Sequence, residues 1–534
     1  MLGAVPAAFG GRSGLKTREY EKKSADPKRI RSKIKGGREV SMNILFASSE
    51  AAPLAKTGGL ADVCGALPKA LAQLGHKVTL IMPAYRSTKK YPSEATGVEI
   101  RVWIGGREVR GTYRKCMVPE IGVPIYLVEH DSYFDRDGLY NTNNEDYGDN
   151  CERFVFFSYA VLEAVRLLKL KVDILHVNDW QTGLIPALQS IYYRDFPGYE
   201  KIATLFTIHN IAYQGAFPAA AMSLTGLHWK YFNWLQMECY DHLNLLKTGI
   251  VFSDGITTVS PNYVREITNS PGGCGLEGVL RSRRDVLWGI TNGIDTDEWD
   301  PEKDPFIEHH FSSETCAEGK LQAKLALQNQ MNLPQRADVP VVGMVGRLTE
   351  QKGFDLVVDL ICRKTFAGED VQWILLGSGD PILENRLREL AAMHTQNVAV
   401  SIRYSNELAH KIIAGSDIFL MPSRFEPCGL TQLYSMRYGT VPVVHSTGGL
   451  VDTVTDLTPE TEADGTATGI RFCNADIQGI TWGVDHALDI YRNRPELWKQ
   501  LQNTGMALDT SWAQSAEQYA KLYRKIRRNR PRKK

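Results

Sequence analysis

Two positively charged side chains stand close together in the second half of the chain, within Gly346-Arg-Leu-Thr-Glu-Gln-Lys-Gly353. An apolar run typical of a β-strand precedes this segment, so Arg347 and Lys352 flank a turn at a strand end. Cations that converge on one pocket can neutralise the charge that develops on a diphosphate leaving group. The spacing therefore predicts a diphosphate clamp. The alternative is that Glu350 pairs with one of these cations at the surface.

An acid lies on a rigid turn between a predicted strand and a predicted helix, in Pro422-Ser-Arg-Phe-Glu-Pro-Cys-Gly-Leu430. A carboxylate held there can grip sugar hydroxyls beside a developing oxocarbenium charge. Glu426 is therefore a candidate site residue, and a simple helix N-cap is the alternative. Further on, Ser446-Thr-Gly-Gly-Leu-Val-Asp-Thr-Val454 is a glycine loop that enters a helix. Its backbone N–H groups predict an anion site.

The first half of the chain has a glycine loop too, Lys56-Thr-Gly-Gly59, after its first predicted strand. Its N–H groups and the ammonium of Lys56 predict contact with a diphosphate. The loop lacks the GxxxxGK[ST] pattern of a Walker loop, and Gly-Gly after a strand is also a common turn.

Polar groups also end three predicted strands of the first half, namely Asp179, His209 and Ser260. The carboxyl ends of parallel strands face the ligand cleft, so each group could contact a substrate. A helix N-cap is the alternative for Asp179 and Ser260, and a buried, hydrogen-bonded imidazole is the alternative for His209.

Short apolar strands alternate with amphipathic helical stretches, which predicts a parallel α/β fold. The first series has strands at 43–48, 78–82, 125–129, 174–177, 203–208, 255–259 and 286–290. The second series has strands at 341–345, 372–376, 398–403, 418–422 and 441–445. The polar, proline-marked stretch over 296–340 suits a linker between them. Two doubly wound domains with a cleft between their strand ends follow from this pattern.

Composition narrows the class of protein. Apolar residues make up 43% of the chain and charged residues 23%, as in ordinary globular proteins. No uncharged apolar run reaches the roughly 20 residues of a membrane span. Residues 1–41 and 524–534 are basic, so the body between them is acidic, which disfavours nucleic acid as a partner. Nine scattered cysteines without a CxxC pair indicate a reducing compartment.

The sequence resembles the bacterial glycogen synthases and plant starch synthases. The resemblance runs collinearly from Met42 to about Tyr523 and rests on the motifs Lys56–Val63, Thr207–Gly215, Asn292–Asp295, Gly346–Gly353, Ser423–Leu430 and Ser446–Thr453. It implies a GT-B fold and a retaining glucosyltransferase that extends an α-1,4-glucan such as glycogen from a nucleotide sugar, usually ADP-glucose. Eight residues after Glu426 stands Tyr434. Relatives with Glu-x7-Glu, such as the sucrose-type synthases, have a second acid there, so the tyrosine points to the glycogen and starch branch.

The resemblance implies catalytic roles for Lys56, Asp179, His209, Arg347, Lys352 and Glu426. It implies donor binding by Lys56, Thr57, Gly58, Gly59, Arg347, Lys352, Glu426, Cys428, Gly429, Leu430, Thr447, Gly448 and Gly449. Asp62, Asp179 and His209 would lie on the acceptor side. The implied location is the cytoplasm, or the plastid stroma for a chain from a plant or alga.

The resulting domain plan has five parts. A flexible basic extension over 1–41 precedes an acceptor-side domain over 42–295 and a donor-side domain over 296–505. A helix over 506–523 crosses back to the first domain, and a basic tail over 524–534 hangs free. Met42 is also a possible start of the chain.

We expect no cofactor and no catalytic metal. Asp135 with Asp137, and Asp295 with Asp297, have the DxD spacing of metal-using transferases, but neither pair has an evident third oxygen ligand. Three alternatives remain open: a GT-B enzyme that uses UDP-glucose or another acceptor, a non-catalytic glucan-binding protein, and a dinucleotide oxidoreductase. Gly377-Ser-Gly379 is only a fragment of the fingerprint that the last would need.

Overall fold

Buried apolar strands alternate with helices throughout the computed structural model, which describes residues 41–142 and 145–530. The predicted extension over 1–41 lies, apart from Ser41, outside the described residues, as do residues 531–534. Within the described ranges, no helix combines the length and apolar character that a membrane span requires.

The N-terminal lobe is built on a nine-stranded sheet, counted over the described residues, with the order β14-β13-β9-β8-β1-β2-β5-β4-β3. Its strands, with the five short strands β6, β7, β10, β11 and β12 that lie outside this sheet, are β1 (Asn43–Ala47), β2 (Lys77–Pro83), β3 (Ser93–Ile104), β4 (Arg107–Met117), β5 (Pro124–Glu129), β6 (Asn141–Thr142), β7 (Glu145–Asp146), β8 (Ile174–Asn178), β9 (Ala203–Ile208), β10 (Ala216–Pro218), β11 (Glu238–Cys239), β12 (His242–Asn244), β13 (Gly255–Thr258) and β14 (Leu287–Gly289). β14 through β5 pair in parallel, and β4 and β3 add an antiparallel edge.

The C-terminal lobe has a parallel sheet in the order β17-β16-β15-β18-β19-β20. Its strands are β15 (Val341–Val345), β16 (Gln372–Gly377), β17 (Val398–Ile402), β18 (Ile418–Met421), β19 (Val441–His445) and β20 (Ile470–Phe472). Strands such as β16 and β18 are buried along their whole length, as expected where helices cover both faces of a sheet.

Helices cover both sheets. In the N-terminal lobe they are α1 (Gly59–Gln73), α2 (Asp131–Phe134), α3 (Asn150–Leu167), α4 (Leu184–Ile191), α5 (Leu245–Phe252), α6 (Pro261–Ile267) and α7 (Glu277–Ser282). The rest of the chain forms α8 (Cys316–Gln330), α9 (Phe354–Phe366), α10 (Pro381–Met393), α11 (Asn406–Gly415), α12 (Thr431–Arg437), α13 (Gly448–Thr453), α14 (Pro459–Asp464), α15 (Ile477–Asn493), α16 (Pro495–Ala507) and α17 (Trp512–Asn529). Single 3₁₀ turns include Trp180–Thr182, Trp229–Tyr231 and Glu350–Lys352.

The hairpin of β3 and β4 is absent from the predicted strands. Its inward side chains, such as Ile100, Val102 and Ile104, alternate with exposed ones, so the hairpin contains no apolar run. A search for buried parallel strands therefore misses it, whereas the two-residue period and Gly105-Gly106 are the signals of an edge hairpin.

The prediction of a linker over 296–340 is wrong. Trp299, Phe311 and Leu327 are buried in the core of the C-terminal lobe, and α8 packs on α11. Asp304 is fully buried and accepts hydrogen bonds from the hydroxyl of Tyr438, 2.6 Å away, and from Nδ1 of His410, 2.7 Å away. The prolines of this stretch interrupt its secondary structure without separating it from the lobe.

The C-terminal helix α17 packs on α1 and β9 of the N-terminal lobe. The hydroxyl of Tyr523 lies 2.7 Å from Nδ1 of His176, and the backbone of Ile294 bonds to that of Thr510 where the two crossing segments meet. The prediction that the helix ends at Tyr523 and leaves a free basic tail is wrong for residues 524–530. The helix continues to Asn529 because Ile526 is buried beside Gly255, and the neighbouring arginines reach acids of the N-terminal lobe.

Candidate active site

The C-terminal lobe presents a buried acid paired with a lysine. Glu426 follows β18 and is only 6% exposed. Lys352 Nζ lies 2.5 Å from its Oε2, and the hydroxyl of Ser423 donates to the same oxygen over 2.9 Å. These two donors hold the carboxylate in one orientation and compensate its charge. The alternative that Glu426 is a helix N-cap is wrong, because the N-cap of the following helix α12 is Leu430 and no side chain caps that helix.

Arg347 reaches the opposite lobe. Its Nη1 donates to the hydroxyl of Tyr213 over 3.1 Å, and its Nη2 lies 3.5 Å from the side-chain oxygen of Gln351. Arg347 and Lys352 thus lie on the same turn but have different partners. Both cations stand at the carboxyl edge of the sheet, where a ligand that entered the cleft would meet them.

A buried thiol and a buried amide meet next to Glu426. Burial raises the pKa of Cys428 to about 12, while hydrogen bonds from the backbone and side chain of Asn292 act in the opposite direction. The side-chain oxygen of Asn292 is buried without a hydrogen-bond partner in the described part of the chain. Sequence reasoning assigned no role to Asn292. Its position in the loop that follows β14, in Asn292-Gly293, was the available signal, because strand ends of this sheet line the cleft.

In the N-terminal lobe, Asp179 and His209 lie at adjacent strand ends. The Oδ1 atom of Asp179 accepts the backbone N–H of His209 over 2.7 Å. Burial raises the pKa of Asp179 to about 7, although the backbone N–H groups of His209 and Asn210 favour its charged form. Asp179 has a φ of +55°, a conformation that L-residues rarely adopt, so the surrounding fold holds it there against backbone strain.

His209 is neutral over the physiological range, because burial lowers its pKa to about 3. Its Nε2 lies 2.9 Å from Oδ1 of Asn178, whose amide nitrogen donates to the carbonyl of Ala47. The second bond fixes the orientation of the amide, so Nε2 of His209 carries the proton and Nδ1 is the acceptor. The structure therefore presents a neutral imidazole with a defined tautomer.

The loop Lys56–Gly59 is held by acids of its own lobe. Glu50 accepts the backbone N–H of Thr57 over 2.5 Å, its hydroxyl over 2.6 Å and the hydroxyl of Tyr140 over 2.7 Å. Lys56 Nζ lies 2.6 Å from Asp62. Burial alone would lower the pKa of Lys56, but the charge and hydrogen bond of Asp62 outweigh it and raise the pKa.

The second glycine loop is held by an acid of the other lobe. The N–H of Gly448 donates to Oε1 of Glu266 over 2.7 Å, and the N–H of Gly449 donates to the carbonyl of Glu426 over 3.0 Å. The N–H of Thr447 donates to the carbonyl of His445. Phosphate binding by this loop therefore stays a prediction, and a phosphate at Gly448 would replace Glu266.

A second contact between the lobes, beside that of Glu266 with Gly448, has its carboxylate on the C-terminal lobe. Asp452 in α13 accepts the hydroxyl of Ser260 over 2.6 Å and the N–H of Asn262 over 2.8 Å, at the start of α6. Each of two short helices, one from each lobe, therefore has its first turn capped by a carboxylate from the other. Ser260 is also the N-cap of α6, because its hydroxyl accepts the N–H of Tyr263. The N-cap alternative for Ser260 is confirmed.

Three further predicted site residues, Gly59, Gly429 and Leu430, lie near the Glu426 turn. Gly429 has a φ of +72° beside the side chain of Gln432, and Leu430 precedes α12. A methyl group at Gly59 would lie 4.0 Å from Leu430, so the first glycine loop faces the Glu426 turn across the cleft.

The two DxD-spaced acid pairs are bound to cations of the chain. Asp135 and Asp137 pair with Arg86, and Asp135 also pairs with Lys89. Asp295 and Asp297 lie 3.8 Å and 3.5 Å from Nζ of Lys69. Across residues 41–142 and 145–530, no group of three or more metal-binding side chains comes together.

The two α/β lobes face each other across their strand ends, with Glu426 and Lys352 paired on one side and Asp179 and His209 in contact on the other. This arrangement is the one expected of a GT-B glycosyltransferase. Family comparison agrees. Residues 43–282 match the starch synthase catalytic domain, and residues 339–486 match the glycosyl transferases group 1. A glycogen synthase of Rhodopirellula baltica is 44% identical over 503 residues, which is 92% of this chain and 99% of that protein. One of Anaeromyxobacter dehalogenans is 46% identical over 488 residues, 91% of this chain and all of that protein.

A solved structure supports the same family. The catalytic domain of starch synthase IV from Arabidopsis thaliana, bound to ADP and acarbose, superposes with a TM-score of 0.84 at 33% identity, over 92% of this chain and 100% of that one. A sucrose-phosphate synthase of Thermosynechococcus elongatus shares the fold alone, with a TM-score of 0.54 at 17% identity. The chain belongs to the glycogen and starch synthase family. The expected GT-B fold and transferase class are confirmed.

Proposed function

We propose that the enzyme transfers glucose from ADP-glucose to the 4-hydroxyl at the non-reducing end of an α-1,4-glucan, with retention of configuration. The observation that carries this proposal is the Glu426 carboxylate, fixed by Lys352 and Ser423 at the strand end that faces the cleft. The starch synthase IV catalytic domain was solved with ADP and acarbose bound, which supports a nucleotide and a sugar chain as ligands of this cleft.

On the donor side, the C-terminal lobe binds the diphosphate. Arg347 and Lys352 stabilise the charge that develops on the leaving ADP, because both are cations at one strand edge. Glu426 accepts hydroxyl hydrogen bonds from the transferred glucose and lies beside its developing positive charge. Cys428, Gly429 and Leu430 line that pocket, while Thr57–Gly59 and Thr447–Gly449 close on the donor from the two lobes. Asn292 adds a buried acceptor for a sugar hydroxyl, which is the partner that its orphaned oxygen requires.

On the acceptor side, the N-terminal lobe binds the glucan. Its neutral His209 hydrogen-bonds sugar hydroxyls without introducing a charge. Asp179 holds the backbone of His209 in place, and Asp62 holds Lys56 at the edge of the cleft. The acceptor hydroxyl attacks from the face that the diphosphate leaves, and the departing phosphate oxygen takes its proton. This route retains the configuration without a covalent intermediate. It needs no metal, since the two cations compensate the phosphate charge.

The nine cysteines, all free in the structure, support a cytoplasmic location. The function is tested by incubation with glycogen and either ADP-glucose or UDP-glucose, followed by measurement of incorporated glucose. We expect incorporation from ADP-glucose, in linkages that an α-1,4-specific amylase releases. Preference for UDP-glucose would overturn the donor assignment, and binding of glycogen without incorporation from either donor would indicate a non-catalytic protein.

A further inference from the structure

Exposed aromatic rings are concentrated in one segment of the N-terminal lobe. Tyr213 is 50% exposed, Trp234 is 72% exposed and Tyr240 is 78% exposed. The segment leaves the sheet after β9, the strand that ends just before His209, and returns through the hairpin of β11 and β12. Several large rings in contact with water along one short stretch indicate a surface that a ligand covers.

Tyr240 is held at the tip of that hairpin in an unfavourable backbone conformation. Cys239 and His242 are paired, which leaves Tyr240 and Asp241 as the two loop residues, with φ values of +50° and +61°. Asn-Gly is the usual choice for such a loop, because a bulky L-residue is strained at positive φ. A strained, exposed tyrosine is therefore not explained by folding and points to a use of its ring.

The hairpin tip is connected to the cleft by traceable contacts. Tyr213 accepts a hydrogen bond from Arg347, and the neighbouring Gln214 donates to the carbonyl of Cys274 over 2.9 Å. The next residue, Gly275, leaves room for the ring of Tyr240, since a methyl group there would lie 3.0 Å from Cε2 of that ring. These contacts connect Arg347 and Tyr213 to the hairpin that carries Tyr240.

Trp234 belongs to the same surface. The ammonium of Lys247 donates to the carbonyls of Trp234 and Glu238, each over 2.6 Å, and Glu238 accepts the N–H of Asp241 at the hairpin tip. One buried lysine therefore ties the loop that carries Trp234 to the strand that carries Tyr240. Tyr213, Trp234 and Tyr240 together are called the aromatic rim below.

We propose that the aromatic rim binds the glucan chain beyond the glucose unit that reacts. This inference rests on the proposed function, because it extends the acceptor side of the same cleft. Pyranose rings present C–H faces that stack on aromatic faces, and an uncharged polymer gains from contact with rings rather than from ion pairs. A polymeric acceptor also extends past the cleft, where a single sugar would end.

The test compares long and short acceptors. The variants are Trp234→Ala, Tyr240→Ala and their double variant, with Trp482→Ala as a control, since Trp482 is 54% exposed on α15 of the other lobe. Initial rates give KM for glycogen, maltotriose and ADP-glucose. We expect KM for glycogen to rise about fivefold for each ring removed, with kcat, KM for maltotriose and KM for ADP-glucose unchanged. Retention in glycogen-containing native gels should fall in parallel.

Tyr240→Asn separates binding from folding. Asparagine tolerates a positive φ, so this variant should unfold at the wild-type temperature or above while showing the same rise in KM for glycogen. An unchanged KM for glycogen in Tyr240→Asn or in the double variant would overturn the proposal. A rise in KM for ADP-glucose alone would assign the rim to the nucleotide and also overturn it. If the wild-type protein incorporated no glucose into either acceptor, the proposed function would fail, and gel retention would still decide whether the rim binds glucan.

Discussion

The two lobes prepare their faces of the cleft in opposite ways. The C-terminal lobe presents charges in defined pairs, with Lys352 on Glu426 and Arg347 beside them. The deep groups of the N-terminal lobe have their charges suppressed by burial, which lowers the pKa of His209 to about 3 and raises that of Asp179 to about 7. Lys56 and Asp62 retain a charged pair only at the edge of that face. The first face suits a diphosphate, and the second suits neutral hydroxyls.

The two glycine loops also differ, in which lobe supplies the carboxylate that supports them. In each, a carboxylate accepts an N–H that a phosphate could take. Glu50 reaches Thr57 from seven residues upstream, so that contact forms within one lobe whatever the arrangement of the other. Glu266 reaches Gly448 from the opposite lobe. The conformation of the second loop therefore depends on how the lobes meet, and that of the first does not.

The largest effect is expected from removing a charge from the face of the cleft that the C-terminal lobe forms. Lys352→Ala should lower kcat/KM by about 10²-fold or more, equivalent to about 3 kcal/mol of lost transition-state stabilisation. Lys56→Ala, in the opposite face, should lower it only about tenfold, because that ammonium is more exposed and better screened. Steady-state kinetics with both substrates measures the contrast. Equal losses in the two variants would show that charge is not confined to one face.

A matched variant controls for misfolding of Lys352→Ala. That substitution leaves the Glu426 carboxylate buried without its cation, which destabilises the fold. Lys352→Ala combined with Glu426→Gln removes the unpaired charge, so its thermal midpoint should recover while its activity stays low. Recovery of both would mean that the single variant was inactive only because it was unfolded.

The next effect concerns the helix that joins the lobes. A chain that ends at Tyr523 loses the buried Ile526, worth about 2–3 kcal/mol, and the contacts of Arg527 with Asp173 and Arg530 with Asp254. We expect a clear fall in thermal midpoint by calorimetry. Ile526→Ala should reproduce most of it, and Lys521→Ala, which is solvent-exposed, should not. A chain ending at Tyr523 with the midpoint of the full chain would restore the free-tail prediction.

Because burial shifts the pKa values of His209 and Asp179, the stability of the fold should depend on pH through both groups. His209 has a folded pKa below its ordinary 6.5, so acidification protonates the unfolded chain first and costs stability. Asp179 has a folded pKa above its ordinary 3.8, so acidification protonates the folded chain first and adds stability. Between pH 7.5 and 5.5 these contributions amount to a loss of about 1 kcal/mol and a gain of about 2 kcal/mol, and they offset each other in part.

Single substitutions should separate the two contributions. On acidification from pH 7.5 to 5.5, Asp179→Asn should lose more stability than the wild type, because only the cost of His209 remains. His209→Gln should lose less, because only the gain of Asp179 remains. Denaturant unfolding at both pH values measures each difference. Parallel pH dependences in all three proteins would show that burial does not suppress these charges.

Sequence reasoning located the strand ends well because burial on both faces of a sheet leaves continuous apolar runs such as Ile374–Leu376. It could not foresee contacts between distant residues. Glu266 and Asp452 look like ordinary acids on helices until the lobes meet. Tyr434 stands where relatives with Glu-x7-Glu have an acid, and its ring instead stacks 3.8 Å from that of Trp299. The basic end of α17 looked solvated, because the one apolar residue that holds it, Ile526, is surrounded by charges.

The smallest effect tests the dependence of the second glycine loop on the other lobe. Glu266→Ala removes the acceptor of the Gly448 N–H and should cost about 1 kcal/mol of stability. The loop packs directly beneath Glu426, since a methyl group at Gly448 would lie 1.9 Å from the Glu426 carbonyl oxygen. A less ordered loop would leave Glu426, which binds the transferred glucose, less ordered as well. KM for ADP-glucose should therefore rise about fivefold with little change in kcat.

The direction of that change in KM distinguishes two roles of Glu266. If the carboxylate only fixes the loop, its removal weakens donor binding, Asp452→Ala does the same, and the double variant adds little because both bonds belong to one helix pair. If the donor phosphate displaces Glu266 from Gly448, removing this competitor should instead lower KM for ADP-glucose. Asp285→Ala, at a fully exposed acid of the same lobe, controls for the lost charge. We expect the rise, because the Gly449 N–H is bonded to the backbone of Glu426, so the loop can close on the donor while Glu266 stays bonded to Gly448.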